Sequence, residues 1–124
     1  MIFPLIGVRL HGWLDDLVVI VYLLGAAALH LRGAALAVAL AGAGVHFLLT
    51  RSTNYPQGTL KIIPFQVHAF IELGEGTAVL TAAIVAPFGL GASPLSARLF
   101  LGLLGLSQFA AFSFSDYQTA PQSL

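Results

Sequence analysis

The 124-residue sequence predicts an all-α fold, a four-span transmembrane helical bundle built from two parallel helical-hairpin repeats. Three observations carry this expectation. The chain is 58% hydrophobic and only 8% charged, whereas soluble domains run near 45–50% apolar and about 25% charged. Four segments approach the roughly 20 apolar residues that a helix needs to cross a bilayer. One pattern of histidine, aromatic and acidic residues occurs twice.

The expected spans are residues 10–31, 33–50, 62–88 and 97–114. Arg32-Gly33 makes a short turn between the first two, and residues 51–58 form a polar loop rich in turn formers. Pro87, Gly89, Gly91 and Ser93-Pro94 end the third span and make the next turn, with Pro64 as a first-turn proline at its start. The tail over 116–124 is polar. Asp15 and Asp16 interrupt the first apolar run and no small-residue cleavage site follows, so the first span is expected to be retained rather than removed as a signal peptide.

Four spans place both termini on one side. Arg9, Arg51 and Lys61 fall on that side and Arg32 and Arg98 on the other. The excess of Lys and Arg in short loops favours cytoplasmic termini. Ala35, Ala39 and Ala43 on the second span, and Gly102 and Gly105 on the fourth, have the small side chains that let helices approach in lipid. The same stripe could serve a homo-dimer.

Leu10-His11-Gly-Trp-Leu-Asp15 matches Val67-His68-Ala-Phe-Ile-Glu72 at an offset of 57 residues (11 to 68). His46-Phe47 and Asn54-Tyr55 match Gln108-Phe109 and Asp116-Tyr117 at an offset of 62 (46 to 108, 54 to 116). A single membrane domain over 1–124 therefore divides into hairpins at 7–55 and 62–117. Each unit crosses twice, so the repeats are parallel and their matched residues converge at one membrane face. Inverted repeats would place them on opposite faces.

Charge and composition exclude several function classes. Five basic residues against five acidic give a formal net charge of +0, which leaves no basic face for nucleic acid. Cysteine is absent, so there is no disulfide framework, thiol nucleophile or cysteine metal site. No Gly-x-Ser-x-Gly, phosphate-binding loop or dinucleotide fingerprint occurs, and Ser52, Thr53 and Ser107 have no evident partner base.

The polar residues are one-sided. His11, Asp15 and Asp16 open the first span, and His68, Glu72 and Glu75 open the third. His46 and Gln108 lie toward the ends of the second and fourth. His11 and Asp15 share a helical face at i,i+4, as do His68, Glu72 and Glu75 at i, i+4 and i+7. Ionisable groups within spans face the bundle interior, so these faces should meet near one leaflet.

Imidazole and carboxylate together suit a divalent metal, with His11, Asp15, His46, His68 and Glu72 as the candidate ligands. The spacing is neither the Glu-x-x-His of di-iron bundles nor His-Glu-x-x-His. Arg51, Asn54, Tyr55, Lys61, Glu75 and Gln108 frame the same face and could line a pocket for a small ligand, a proton path or a lipid head group. Haem ranks below a metal ion, because bis-histidine placement at mid-membrane depth is missing. The competing reading is a metal-free network of hydrogen bonds and ion pairs that orients the helices. The expectation is a small integral membrane binding protein that contacts the lipid bilayer, alone, as a dimer or within a larger complex. An accessory subunit and a membrane enzyme using the same cluster are the alternatives.

The two His-x-x-x-acid hairpins, with the connecting Asn54-Tyr55 … Lys61-Ile-Ile-Pro64-Phe-Gln-Val-His68, resemble small bacterial membrane proteins of the SPW-repeat type. The resemblance implies paired two-helix units with a histidine and an acid near the start of each, which His11, Asp15, His68 and Glu72 match. Ala86-Pro87-Phe88 stands where Ser-Pro-Trp would end the first helix of the second unit, and Ala28-Leu29-His30 in the first. The resemblance implies a bacterial inner membrane and no particular activity.

Overall fold

The structure is a computed structural model, described for residues 4–87 and 94–118. Among the described residues are four helices: α1 (Val8–Ala28), α2 (Gly33–Ser52), α3 (Phe65–Val85) and α4 (Pro94–Phe114). Each is long and apolar enough to cross a membrane. Leu10, Trp13, Leu24, Leu48, Phe70, Ile84 and Leu103 are among the large apolar side chains that project outward, which suits a lipid surround. His11, Asp15, His46, His68, Glu72 and Gln108 turn inward, as do Ala35, Ala39 and Ala43.

The helix ends differ from the expected spans for local reasons. α1 ends at Ala28, three residues early. His30 adopts φ 52°, and the Leu31 N–H bonds back to the Ala26 carbonyl at 2.9 Å. That is a Schellman stop with histidine in the left-handed position usually given to glycine. Gly33 then opens α2 at φ 57°. α3 starts at Phe65 rather than Ile62, because Pro64 is its extended N-cap and not a first-turn residue. α4 starts at Pro94 rather than Ala97, since proline's fixed φ and missing N–H suit the first helical turn. The expected turn residues Gly89, Gly91 and Ser93 lie outside the described residues. The Arg98 guanidinium, from α4, donates to the carbonyls of Ala83 (2.8 Å), Ile84 (3.0 Å) and Ala86 (2.7 Å). It satisfies carbonyls left over at the end of α3.

Packing is closest within the hairpins, α1 on α2 and α3 on α4, and lighter between them. Ala35, Ala39 and Ala43 are buried in a core with Tyr22, Val79, Ala83, Ala97 and Leu101, so the alanine stripe is used inside the bundle. A Cβ on Gly105 would lie 2.9 Å from the Gly76 carbonyl and 3.0 Å from the Leu80 N–H nitrogen. The α3 and α4 backbones touch there because both positions are glycine. Gly74 faces open space.

Two short parallel seams tie the hairpins together at one end. Leu5 and Ile6 N–H both donate to the Phe114 carbonyl, and Asp116 N–H donates to the Ile6 carbonyl, each at 2.9 Å. Ile62 and Ile63 N–H both donate to the Ser52 carbonyl at 2.9 Å, and Asn54 N–H donates to the Ile63 carbonyl at 2.8 Å. The second set of residues corresponds to the first at the offsets of 57 and 62 seen in the sequence. The seams satisfy backbone groups where the helices stop, as a chain in or near lipid requires.

Candidate metal centre

His11 is in the first turn of α1 and His68 in the first turn of α3, and both are fully buried. Their Nε2 atoms face each other at 3.2 Å. Asp15 and Glu72, one turn further along each helix, close the group. His11 Nε2 is 3.4 Å from Asp15 Oδ1 and 3.4 Å from Glu72 Oε2. His68 Nε2 is 3.3 Å from Asp15 Oδ2 and 3.8 Å from Glu72 Oε2. The four donor atoms lie within 4.8 Å of one another. A four-coordinate ion with bonds of about 2.0–2.1 Å sets its ligand atoms about 3.3–3.4 Å apart. The distances between the histidine nitrogens, and from them to an oxygen of Asp15 or Glu72, run from 3.2 to 3.8 Å around that value.

The outer nitrogens are held by hydroxyls. Thr53 Oγ1 donates its only hydrogen to the Leu49 carbonyl at 2.6 Å, so it can only accept from His68 Nδ1–H, at 2.8 Å. A neutral His68 therefore presents a bare lone pair on Nε2 to the centre of the group. Ser115 Oγ, at the position that matches Thr53, lies 2.6 Å from His11 Nδ1. Glu72 Oε2 is buried and, among the described residues, has no hydrogen-bond partner.

His46 stands beside the four rather than among them. Its Nε2 is 3.3 Å from Asp15 Oδ1 and its Nδ1 is 2.9 Å from Glu75 Oε2. Gln108 Nε2 donates to Glu75 Oε1 and to the Tyr22 hydroxyl, each at 3.2 Å. With about 1.5 Å of rise per residue, this network runs from near the start of α1 at His11 to Tyr22, roughly 16 Å along the helix.

Tyr55, Phe65 and Tyr117 form an aromatic cover over the site, with the Phe65 ring edge-on to His11 at 4.9 Å between centroids. The Tyr55 hydroxyl donates to Asp15 Oδ2 at 2.5 Å. Burial, and then the Asp15 charge, push the Tyr55 phenol well above its ordinary pKa. Burial and the Glu72 charge do the same for Tyr117.

The expected pocket residues divide. Glu75, Gln108 and Tyr55 join the network, whereas the cations do not. Arg51 pairs with Asp16 at the partly exposed flank and lies over the Phe47 ring at 5.7 Å. Lys61 turns back to the Tyr55 carbonyl at 2.6 Å, and Asn54 contributes its backbone to a seam. Among the described residues, the ion pairs of Asp15, Glu72 and Glu75 are with histidines alone. A buried carboxylate needs a counter-charge unless it takes up a proton, and among the described groups paired with these three acids imidazolium is the source of one.

Sequence reasoning missed Thr53 and Ser115. A signal was present: Thr53-Asn54-Tyr55 and Ser115-Asp116-Tyr117 both read hydroxyl, Asx, tyrosine at the offset of 62. Tyr22 was also missed, and its position in an apolar run gives no warning that its hydroxyl is bonded.

The fold and the cluster define a polytopic α-helical membrane protein with a buried histidine–carboxylate centre. No family model, curated protein or solved structure matches the chain.

Proposed function

We propose that the protein is a small integral membrane metal-binding protein whose His11, Asp15, His68 and Glu72 hold one divalent ion. The observation that carries this reading is the four-donor group itself: two residues from each hairpin whose donor atoms lie within 4.8 Å of one another, with a buried Glu72 oxygen that makes no hydrogen bond among the described residues. Two imidazoles and two carboxylates favour zinc, iron or manganese over calcium or magnesium, which prefer all-oxygen sites. His46 orients Asp15 and is not itself a ligand. The two hairpins are copies of one unit on this reading, in line with the matched seams and with the resemblance to the SPW-repeat type. Arg9, Arg51 and Lys61 at the end of the bundle that carries the site favour a cytoplasmic face there.

The test is metal analysis of the full chain purified in mild detergent, followed by zinc titration. One ion per chain is expected, and His11→Ala and His68→Ala should each abolish its retention while helical circular dichroism persists. Wild-type protein that carries no metal and takes up no zinc would leave the metal-free network, with a proton shared between His11 and His68, as the account of the cluster.

A further inference from the structure

The hydroxyl contacts cross between hairpins. Thr53 ends the first hairpin and holds His68, which begins the second. Ser115 ends the second and holds His11, which begins the first. Each hydroxyl residue also belongs to a seam, Thr53 opposite Ile63 and Ser115 opposite Ile6. We propose that Thr53 and Ser115 are positioning residues of the ion site, each turning the other hairpin's histidine so that its Nε2 faces the ion, and that ion binding thereby tightens both seams. This rests on the metal-binding reading above.

The physical reason is tautomer control. A histidine can ligate through Nε2 only if that nitrogen is unprotonated, and the partner of Nδ1 decides this. Thr53 can act only as an acceptor toward His68, because its hydrogen is committed to Leu49. The seams are short and the hairpins touch lightly elsewhere. An ion with two ligands from each hairpin would therefore add its cross-link where the hairpins need one.

Two measurements on the full chain in detergent test this. Nitrogen-15 NMR of the histidines in metal-free protein should show the His68 proton on Nδ1, and Thr53→Val should disturb that signature while Thr53→Ser keeps it. Competition with a chromogenic chelator should show zinc affinity falling about 10–100-fold for Thr53→Val and for Ser115→Ala, with Thr53→Ser close to wild type. Hydrogen exchange at the Asn54, Ile63 and Asp116 amides should slow on zinc addition. A wild-type His68 protonated on Nε2 would overturn the proposal. So would variants that bind zinc as wild type does, however much heat stability they lose, or seam amides indifferent to zinc. Wild type that binds no zinc would defeat the metal-binding reading itself, a result distinct from these.

Discussion

His11 and His68, 57 residues apart in the chain, meet Nε2 to Nε2 at 3.2 Å inside an apolar bundle. Two neutral imidazoles that both carry their hydrogen on Nδ1 would oppose lone pairs, and two protonated ones would oppose charges. A single proton or a bound cation between the Nε2 atoms resolves the opposition, and Asp15 and Glu72 flank the place on either side.

Chelation gives the first prediction. A ligand that binds only the folded state adds stability by mass action, about 2.7 kcal/mol at a hundredfold excess over Kd. Zinc should raise the midpoint of thermal unfolding in a concentration-dependent way and a strong chelator should reverse it. In the His11→Ala, His68→Ala double variant the midpoint should ignore both additions. Differential scanning fluorimetry in detergent reads this directly.

Alkaline titration gives the second. Burial raises the folded pKa of Tyr55 and of Tyr117 above a phenol's ordinary value of about 10. In unfolded chain these phenols lose their protons near pH 10, while the folded protein still holds them. The stability they confer is therefore complete below about pH 10 and is lost as pH rises beyond it. Phenolate absorbance from these two should appear together with the loss of helical signal and not before. Early, reversible ionisation of Tyr55 in folded protein would contradict its burial against Asp15.

The glycines give the third. Gly105→Ala places a methyl group against the α3 backbone at 2.9–3.0 Å, and overpacking of this kind costs about 1–3 kcal/mol. Gly74→Ala meets nothing and removes a glycine from a helix interior, a change worth up to about 1 kcal/mol in the stabilising direction. The two variants should move the unfolding midpoint in opposite directions or, at least, only the first should lower it.

The parts of this molecule that were legible in the sequence share a physical property: each depends on residues close together in the chain. Span number follows from runs of apolar residues, and the pairing of His11 with Asp15, or His68 with Glu72, follows from one turn of helix. The one-sided placement of His11, His46 and His68 follows from counting residues along each span. Arg51 shows where such reasoning stops. It falls at the correct end of α2, yet the rotation of α2 aims it at Asp16 on the flank and not at the cluster.

The sequence by itself determined four apolar helices and the end of the bundle at which the titratable groups gather, because hydropathy and helical periodicity are local. Only the tertiary structure decided that His46 serves Asp15 and Glu75 from outside the four-donor group, and that Thr53 and Ser115 reach across to the opposite hairpin's histidine. Those outcomes depend on how each helix is rotated and how the hairpins dock. Docking is fixed by packing between distant segments, such as the approach of Gly76 to Gly105, and no single helix carries that information.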